Sequence, residues 1–288
     1  IIKGNVDLTE SIIPINDNTE YLITGYVTQV SGVFAAPLHP WPFVIKADAD
    51  LNATAFKIFS DHEGFFTDVD EIPNSGGDLL FCGANSSLTT ITPGSRAGWM
   101  MRTDPINFAA QWMRFVHNSS IPSGHNYQIV HDALALDGSD AIICGTTNEQ
   151  TPCYLNLDSF QARAFIAKID LSSGAFVWQK AIYPGRLGIR LAINQNEDRI
   201  ALATHGETMN SLAGLSFFDM SGTLIADKLW EVNPTPLTNT YFNYNIVPEF
   251  PCSVYIHEYH VIQNIYFMDN GEDVFVSGKF INTPVSCF

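Results

Sequence analysis

The chain has 288 residues, of which 46% are hydrophobic and only 15% are charged. Its 30 acidic and 14 basic residues give a formal net charge of −16, which argues against nucleic acid and anionic membranes as partners, because phosphates attract basic surfaces. No apolar run reaches the length of a membrane span, so we expect no membrane insertion. The hydrophobic content suffices for one large β domain.

Two hairpin patterns alternate along the sequence. The first is an acidic residue, four mostly apolar residues and a glycine, preceded by an apolar strand and a polar turn. The second is an apolar strand, an aspartate that begins a small polar turn, and a returning strand with a large aromatic residue. Together they predict units of four strands that recur about every 60 residues.

The first pattern occurs at Glu20–Gly25, Asp78–Gly83, Asp140–Gly145 and Asp273–Gly278, with a degenerate copy at Arg199–Thr204. The second begins its turns at Asp48, Asp104, Asp170 and Asp219. Three copies share a basic residue two positions before the aspartate and an aromatic residue eight positions after it, namely Lys46 and Phe56, Arg102 and Trp112, and Lys168 and Trp178. The fourth copy has Phe217 at the basic position, and its tryptophan, Trp230, follows the aspartate by more than eight positions.

Four strands per unit are typical of a β-propeller blade, here with long loops. We therefore predict an all-β fold: one propeller domain whose five four-stranded antiparallel blades lie at about 11–60, 61–117, 118–184, 185–232 and 260–288. We expect residues 1–10 to complete the last blade and close the ring. Because the sequence stops within the last repeat, we also expect a segment of a larger or processed protein.

The hairpin Asp170–Trp178 resembles the tryptophan-docking repeat of quinoprotein-like and bacterial surface-type propellers, with Ser173 where threonine is usual. The copy Asp104–Trp112 keeps both ends but lacks the glycine. The resemblance implies a propeller and no particular activity, because propellers host many unrelated functions. Quinone-dependent dehydrogenases of this kind are expected to carry a vicinal cysteine pair, and the sequence has none.

Trp41 is the first candidate interface residue. It stands between two prolines in a predicted loop at residues 35–42, although packing within the loop is the simpler interpretation. Residues 231–259 form the longest insertion and are rich in proline and aromatic residues. Tyr241, Phe242 and Tyr244 are of the type found at interface centres. We expect a contact surface there, with packing against the chain's own propeller as the alternative.

Calcium is the one cofactor that the sequence leaves open. Asp48, Asp50 and Asn52 alternate as at the start of a calcium loop, but alanine and phenylalanine occupy the positions of its glycine and bidentate acid. A hairpin turn explains these residues better. A second acidic run, Asp68, Asp70 and Glu71, opens the second blade and is the alternative calcium site, because the loops of acidic secreted propellers can supply such ligands. The stretch His257–His260 is not a metal motif, because residues three apart on a strand point to opposite faces.

Low lysine content, many asparagine, serine and threonine residues, and cysteines beside predicted loops favour an extracellular or cell-surface location. We expect disulfides Cys144–Cys153 and Cys252–Cys287, with Cys82 unpaired; five reduced thiols are the alternative. Sequons at Asn52, Asn85 and Asn118 permit glycosylation.

The sequence shows no nucleophile elbow, phosphate loop or paired-carboxylate signature. We therefore expect a non-catalytic structural or interaction module with protein partners, in particular as the self-assembling protomer of a filament or appendage. The alternative is a carbohydrate-binding propeller, or a carbohydrate-active or quinone-dependent enzyme. The central channel discriminates between them: converging carboxylates favour an enzyme, and a plugged or apolar channel favours a scaffold.

Overall fold

The computed structural model describes residues 6–16, 18–29, 39–85, 97–116, 128–148, 162–184, 186–206, 213–230, 256–268 and 273–284. Within these ranges the chain forms eighteen strands and no helix. None of the described residues therefore lies in a helix long and apolar enough to cross a membrane. The strands form four four-stranded antiparallel sheets and one two-stranded sheet. This confirms the predicted all-β, propeller-like fold, although the last of the five predicted blades has two described strands instead of four.

The first sheet contains β1 (Val6–Ile15), β2 (Glu20–Gln29), β3 (His39–Asp48) and β4 (Ala53–Ile58). The second contains β5 (Gly64–Glu71), β6 (Leu79–Asn85), β7 (Ala97–Thr103) and β8 (Ala110–Val116). The third contains β9 (Gln128–Ala135), β10 (Asp140–Asn148), β11 (Ala162–Asp170) and β12 (Ala175–Pro184). The fourth contains β13 (Arg186–Ile193), β14 (Arg199–Gly206), β15 (Ala213–Asp219) and β16 (Leu224–Trp230). The fifth contains β17 (Ile256–Phe267) and β18 (Val274–Pro284).

The first strand of each sheet is its innermost strand. The inner strands β1, β5, β9, β13 and β17 contact one another in chain order and line one cavity. Residues 6–10, which we expected to complete the last sheet, instead belong to β1 and pair with β2. The described strands therefore do not close the ring by pairing, and the last sheet begins at residue 256 rather than 260.

Apolar clusters fill the spaces between successive sheets in the described part of the chain. The cluster between the first two sheets contains Phe66 and Trp99, whose rings stack with centroids 5.2 Å apart. The next two clusters are built mainly from aliphatic residues such as Ile143 and Ile142. Because strand residues alternate between faces, consecutive residues of β10 pack into different clusters. The second and third sheets are thus each packed against a neighbouring sheet on both faces.

A β-bulge occurs at one register position of every inner strand. The extra residues are Glu10, Thr67, His131, Ile189 and Gln263. A bulge turns the neighbouring side chain, and the residues that follow these bulges all line the central cavity: Ser11, Asp68, Asp132, Arg190 and Asn264. The repeat thereby places five equivalent polar side chains around one axis.

The glycine of the first sequence pattern faces this bulge. A Cβ atom at Gly145 would lie 1.9 Å from the backbone oxygen of Ile129, and Gly83 meets the same obstacle. In the fourth sheet Thr204 takes the place of the glycine, and Gly188 stands opposite it on the inner strand. The degenerate copy keeps the required space because the glycine has moved to the facing strand.

Ion pairs connect the two sequence patterns within each of the first three sheets. The acid of the first pattern lies 2.7–2.8 Å from the base of the second, in the pairs Glu20–Lys46, Asp78–Arg102 and Asp140–Lys168. In the fourth sheet Arg199 directly faces the turn residue Asp219. The first pattern of this sheet thus begins with a basic residue instead of an acidic one. No acid is left there for a basic residue to pair with, which explains why Phe217 can occupy the basic position of the second pattern.

The four turn aspartates occupy equivalent positions between the third and fourth strands of successive sheets, as predicted. Each carboxylate accepts backbone N–H groups of its own turn; Asp170, for example, accepts those of Ser172 and Ser173 at 2.7 and 3.1 Å. Hydrogen bonds from the turn lower the pKa of all four carboxyl groups, because they stabilise the charged form. Backbone N–H groups are the largest cause at Asp48 and Asp104, and the hydroxyl groups of Ser172 and Ser221 are the largest cause at Asp170 and Asp219.

Tryptophans of the outer strands join successive sheets, as predicted. The indole Nε1 of Trp112 donates to the Leu171 carbonyl at 2.7 Å, and that of Trp178 donates to the Met220 carbonyl at 3.1 Å. Both acceptors directly follow the turn aspartate of the next sheet. A Cβ atom on the turn glycine of that sheet would lie within 2.9 Å of the tryptophan ring, so the glycine makes the docking possible.

Phe56 does not occupy the same position as these tryptophans, contrary to our expectation. The turn after Asp48 is one residue shorter, so Ala55 faces Lys46 as Trp178 faces Lys168, and Phe56 is 47% exposed. A shift of one residue turns a strand side chain to the other face.

At the junction between the first two sheets, the large and the small residue of the tryptophan docking have changed places: alanine stands on the outer strand and phenylalanine stands in the turn. Phe108 stands in the turn where later sheets have glycine; it is buried against Ala55 and has a φ of 52°. Lys57 Nζ donates to the Phe108 carbonyl at 2.6 Å. The turn therefore supplies the aromatic residue that the outer strand lacks.

Cys144 carries a free, buried thiol, as does Cys82, which contradicts the predicted bridge from Cys144 to Cys153. The two residues occupy equivalent positions of β6 and β10, directly before the bulge-facing glycine. At these positions the side chain points into the apolar layer between sheets. Cys153, Cys252 and Cys287 lie outside the described residues, so the Cys252–Cys287 disulfide stays a prediction.

Candidate functional site

The central cavity has a volume of about 370 Å³ and is lined by side chains from the inner strands of all five sheets. Its charged residues are Glu10, Asp68, Asp70, Asp132 and Arg190. Our expectation named Asp68 and Asp70 only as part of an acidic loop. They lie instead on strand β5, where residues two apart share a face, and both face the cavity.

Asp68 and Asp132 lie side by side at the centre of this group. Ser11 Oγ donates to Asp68 Oδ1 at 2.8 Å. The backbone N–H of Ala133 points toward both carboxyl groups, 3.1 Å from Asp132 Oδ1 and 3.4 Å from Asp68 Oδ2. Asp68 is 8% exposed and Asp132 is 6% exposed, so water screens their mutual repulsion poorly.

Two further hydrogen bonds extend the group to the neighbouring strands. Asp132 Oδ2 accepts the backbone N–H of Leu191 on β13 at 2.6 Å. Asp70 Oδ2 accepts that of Ala135 on β9 at 2.7 Å. Together with the contact from Ser11, these bonds connect β1, β5, β9 and β13 through carboxyl groups. Three carboxyl groups therefore fasten the inner strands of the first four sheets together.

Burial changes the acidity of this group. It raises the pKa of Asp68 well above its ordinary value, and the neighbouring Asp132 raises it further. It also raises the pKa of Asp70 to about 7, although the Ala135 N–H opposes the shift. Partial desolvation raises the pKa of Glu10, although its side chain is exposed, and Arg190 partly offsets the shift. The cavity thus holds carboxyl groups that carry protons at a pH where exposed carboxyl groups are ionised.

Arg190 supplies the positive charge of the cavity. Burial alone lowers the pKa of its guanidinium, but Asp132 and Asp68 outweigh this and raise it, so the group stays protonated. Chemically, the cavity offers proton donors and acceptors to a small polar ligand. The same carboxyl groups, however, already accept backbone N–H groups, which is a structural role.

The two buried thiols lie behind the cavity wall. Cys82 faces Asp68 and Cys144 faces Asp132 in the strand register. Burial, followed by the nearby carboxyl groups, raises the pKa of both thiols well above the ordinary value. A thiol is nucleophilic only as a thiolate, so these cysteines are suited to packing and not to covalent catalysis.

The residues predicted for calcium are used by their turn. Asp48 accepts the backbone N–H groups of Asp50 and Asn52 and the side-chain amide of Asn52. Among the residues that the structure describes, no group of three or more His, Cys, Asp or Glu side chains is arranged to hold a metal ion. The carboxylate that would start a calcium loop instead closes a hairpin.

The other predicted site residues fall in separate places. Trp41 is part of strand β3, where it faces Val27, and not of a loop. Asn52 is exposed in the turn between β3 and β4, and Asn85 is half-buried at the end of β6. Asn118 and the candidate interface residues Tyr241, Phe242 and Tyr244 lie outside the described residues.

Sequence reasoning missed a second bulge, on the outermost strand of each four-stranded sheet. The bulged residues are Thr54, Gln111, Val177 and Ile225. In the first two sheets they bond back to their own sheet: Thr54 Oγ1 to the Lys46 carbonyl at 3.2 Å and Gln111 Nε2 to Asp78 at 2.8 Å. In the third and fourth sheets they are apolar and exposed.

Val177 is 57% exposed and Ile225 is 53% exposed. The preceding strand residues, Phe176 and Leu224, are both 39% exposed. We call these four residues the outer apolar set. They occupy equivalent positions on β12 and β16, whereas the corresponding residues of the first two sheets are alanine and a polar residue. The fold itself therefore does not require apolar residues at these positions.

The cavity residues could have been found from one signal in the sequence. Each inner strand is mainly apolar but carries a polar residue at the same register, from Ser11 to Asn264. The two hairpin patterns begin at the second strand of each unit, so they leave the register of the first strand unspecified. The sequence matches no protein-family model and no curated protein.

Proposed function

We propose that this chain is a non-catalytic structural or interaction module of an extracellular or cell-surface assembly. Its partner is a protein or a second copy of the chain, as in the protomer of a filament or appendage. The observation that carries the proposal is the outer apolar set, Phe176, Val177, Leu224 and Ile225, on the outer strands of two neighbouring sheets.

Exposed edge strands invite pairing with another chain, and proteins usually protect them with polar or charged residues. The first two sheets follow this rule at the bulge, with Thr54 and Gln111 bonded to their own sheet. The third and fourth sheets place Val177 and Ile225 there instead. Burying these side chains against a partner removes apolar area from water, which favours association.

Carboxyl groups that converge on the cavity favour an enzyme by the criterion of the sequence analysis, but their hydrogen bonds give them a structural role that fits a non-catalytic module. Asp68, Asp70 and Asp132 each bind a backbone N–H of an inner strand, which accounts for their presence without a substrate. The tryptophan docking of Trp112 and Trp178 supports a relation to the quinoprotein-like and bacterial surface-type propellers. The proposal also holds that the sequons carry glycans and that Cys252 and Cys287 form a disulfide, because both features fit an extracellular location.

We expect the double variant Val177→Ser/Ile225→Ser to weaken association about tenfold or more, since each lost apolar contact contributes about 1 kcal/mol. Sedimentation velocity over a concentration series, with electron microscopy of the assembled material, measures this. Ile106→Ser is the matched control, because Ile106 is 76% exposed on a turn of the second sheet. Equal weakening in both variants, or a wild type that stays monomeric at every concentration, contradicts self-assembly through this surface.

A carbohydrate-binding or carbohydrate-active propeller is the second candidate. The convergence of Asp68, Asp70, Asp132 and Arg190 on one cavity favours it, because glycoside hydrolysis uses a pair of carboxyl groups. Under our first proposal, a panel of oligosaccharides produces neither turnover nor a thermal shift. Turnover by the wild type that is lost in Asp132→Asn, with the fold retained by circular dichroism, would establish the second candidate instead.

A further inference from the structure

The inner strands β5 and β9 are joined through two buried carboxyl groups, Asp68 and Asp132, that share one backbone donor. Asp68 Oδ2 and Asp132 Oδ1 lie 3.4 and 3.1 Å from the same Ala133 nitrogen, and both side chains are buried. Two carboxylates repel across such a contact, whereas a carboxylic acid donates its proton to a neighbouring carboxylate. A single proton held between the two groups would remove this repulsion.

We propose that Asp68 and Asp132 form a proton-sharing carboxyl pair that locks the inner strands together in acid and loosens them when alkali removes the proton. In the locked form Asp68 is the acid and donates to Asp132, which keeps its bond to Leu191 on β13. Release transfers the proton to solvent and leaves two adjacent anions. The repulsion then acts between β5 and β9.

The other groups around the pair favour the same behaviour. On β1, Glu10 lines the cavity and adds a third carboxyl group. On β5, Asp70 lies two residues from Asp68, and Glu71 accepts the N–H of Asn16 at 3.1 Å. On β13, Arg190 is the cation among the residues that line the cavity, and on β17 the neutral Asn264 completes the lining.

The remaining titratable groups near the pair do not replace the proton. Cys82 on β6 and Cys144 on β10 face the two aspartates in register, and burial raises the pKa of both thiols, so they stay neutral. His131, the bulged residue of β9, does not line the cavity. One guanidinium therefore faces several carboxyl groups, and it cannot neutralise them all when the shared proton leaves.

The sign of the pH dependence follows from proton linkage. The pKa values of Asp68 and Asp70 are higher in the folded chain than in the unfolded chain, so the folded state binds more protons. Stability is then fully present below the unfolded pKa of about 4 and falls as the pH rises through the folded values. For Asp70 that value is about 7. The turn aspartates, whose pKa values are lowered, act oppositely, and their contribution is lost only as the pH falls below about 4.

Thermal unfolding of the wild type and of Asp68→Asn between pH 5 and pH 8 tests the lock. An asparagine amide donates to Asp132 without titrating. We expect the wild-type Tm to fall across this range, and the Tm of Asp68→Asn to fall by about 5 °C less. Asp50→Asn changes an exposed turn residue, so its Tm should change with pH in the same way as the wild-type Tm. Parallel curves for the wild type and Asp68→Asn would overturn the proposal.

Infrared difference spectroscopy provides a second test that does not depend on how well the variant folds. The Asp70→Asn variant removes the other aspartate with a raised pKa, and at pH 6 it should, like the wild type, still show the carbonyl stretch of a buried protonated carboxyl group. This band should disappear on titration with alkali. Asp132→Asn should alter the same band, because it removes the acceptor. A wild type without a protonated carboxyl group at pH 6 would rule out the shared proton.

Discussion

Gly145→Ala is expected to lower the free energy of unfolding by about 4 kcal/mol, which is near the upper end for single substitutions. The new Cβ atom would lie 1.9 Å from the backbone oxygen of Ile129 and 2.6 Å from the Phe165 ring. A backbone atom cannot move aside without breaking the bulge that turns Asp132 into the cavity. Urea unfolding followed by far-ultraviolet circular dichroism measures the loss.

Two controls separate this effect from a general cost of replacing glycine. Gly76→Ala has no atom within 4 Å of the new Cβ but a φ of 82°, so it should cost only about 1 kcal/mol of backbone strain. Thr204→Val changes the equivalent position of the fourth sheet, where the Thr204 hydroxyl is buried without a hydrogen-bond partner. We expect it to raise stability by about 1 kcal/mol. A Gly145→Ala loss no larger than that of Gly76→Ala contradicts the bulge interpretation.

Trp178→Ala is expected to lower the free energy of unfolding by about 3 kcal/mol, because it removes a large packed aromatic residue and its hydrogen bond to Met220 on the next sheet. Trp178→Phe keeps most of the ring and loses only the N–H donor, so it should cost about 1 kcal/mol. Chemical unfolding monitored by circular dichroism distinguishes the two values.

Phe56→Ala is the matched control for Trp178→Ala. The sequence spacing treats the two residues as equivalent, whereas the structure places Phe56 on the exposed face of β4. A surface substitution of this kind should change stability by less than about 0.5 kcal/mol. If Phe56→Ala were as costly as Trp178→Ala, the register assigned to β4 would be wrong.

Local patterns predicted the hairpins, because each depends on residues close together in the chain. The aspartate turns, the acid-to-glycine segments and the boundaries of the second to fourth sheets all follow from such patterns. The patterns failed where one residue changes a register. The turn after Asp48 is one residue shorter than that after Asp170, and Phe56 therefore faces solvent.

The cavity could not be predicted in the same way. Ser11, Asp68, Asp132 and Arg190 are far apart in the sequence, and none belongs to the two patterns that revealed the repeat. Only the bulge of each inner strand turns them to one axis. The free thiol of Cys144 is a similar case, because its environment depends on how two sheets pack.

The sequence by itself determined an all-β repeat, its turns and its glycine positions, because strand alternation and turn chemistry act between residues that are near one another in the chain. The tertiary structure alone decided that carboxyl groups from different sheets share one cavity and that buried thiols replace a disulfide. It also decided that the apolar residues of the third and fourth sheets remain exposed. These features depend on contacts between sheets, and pairs of residues about 60 positions apart leave no local pattern.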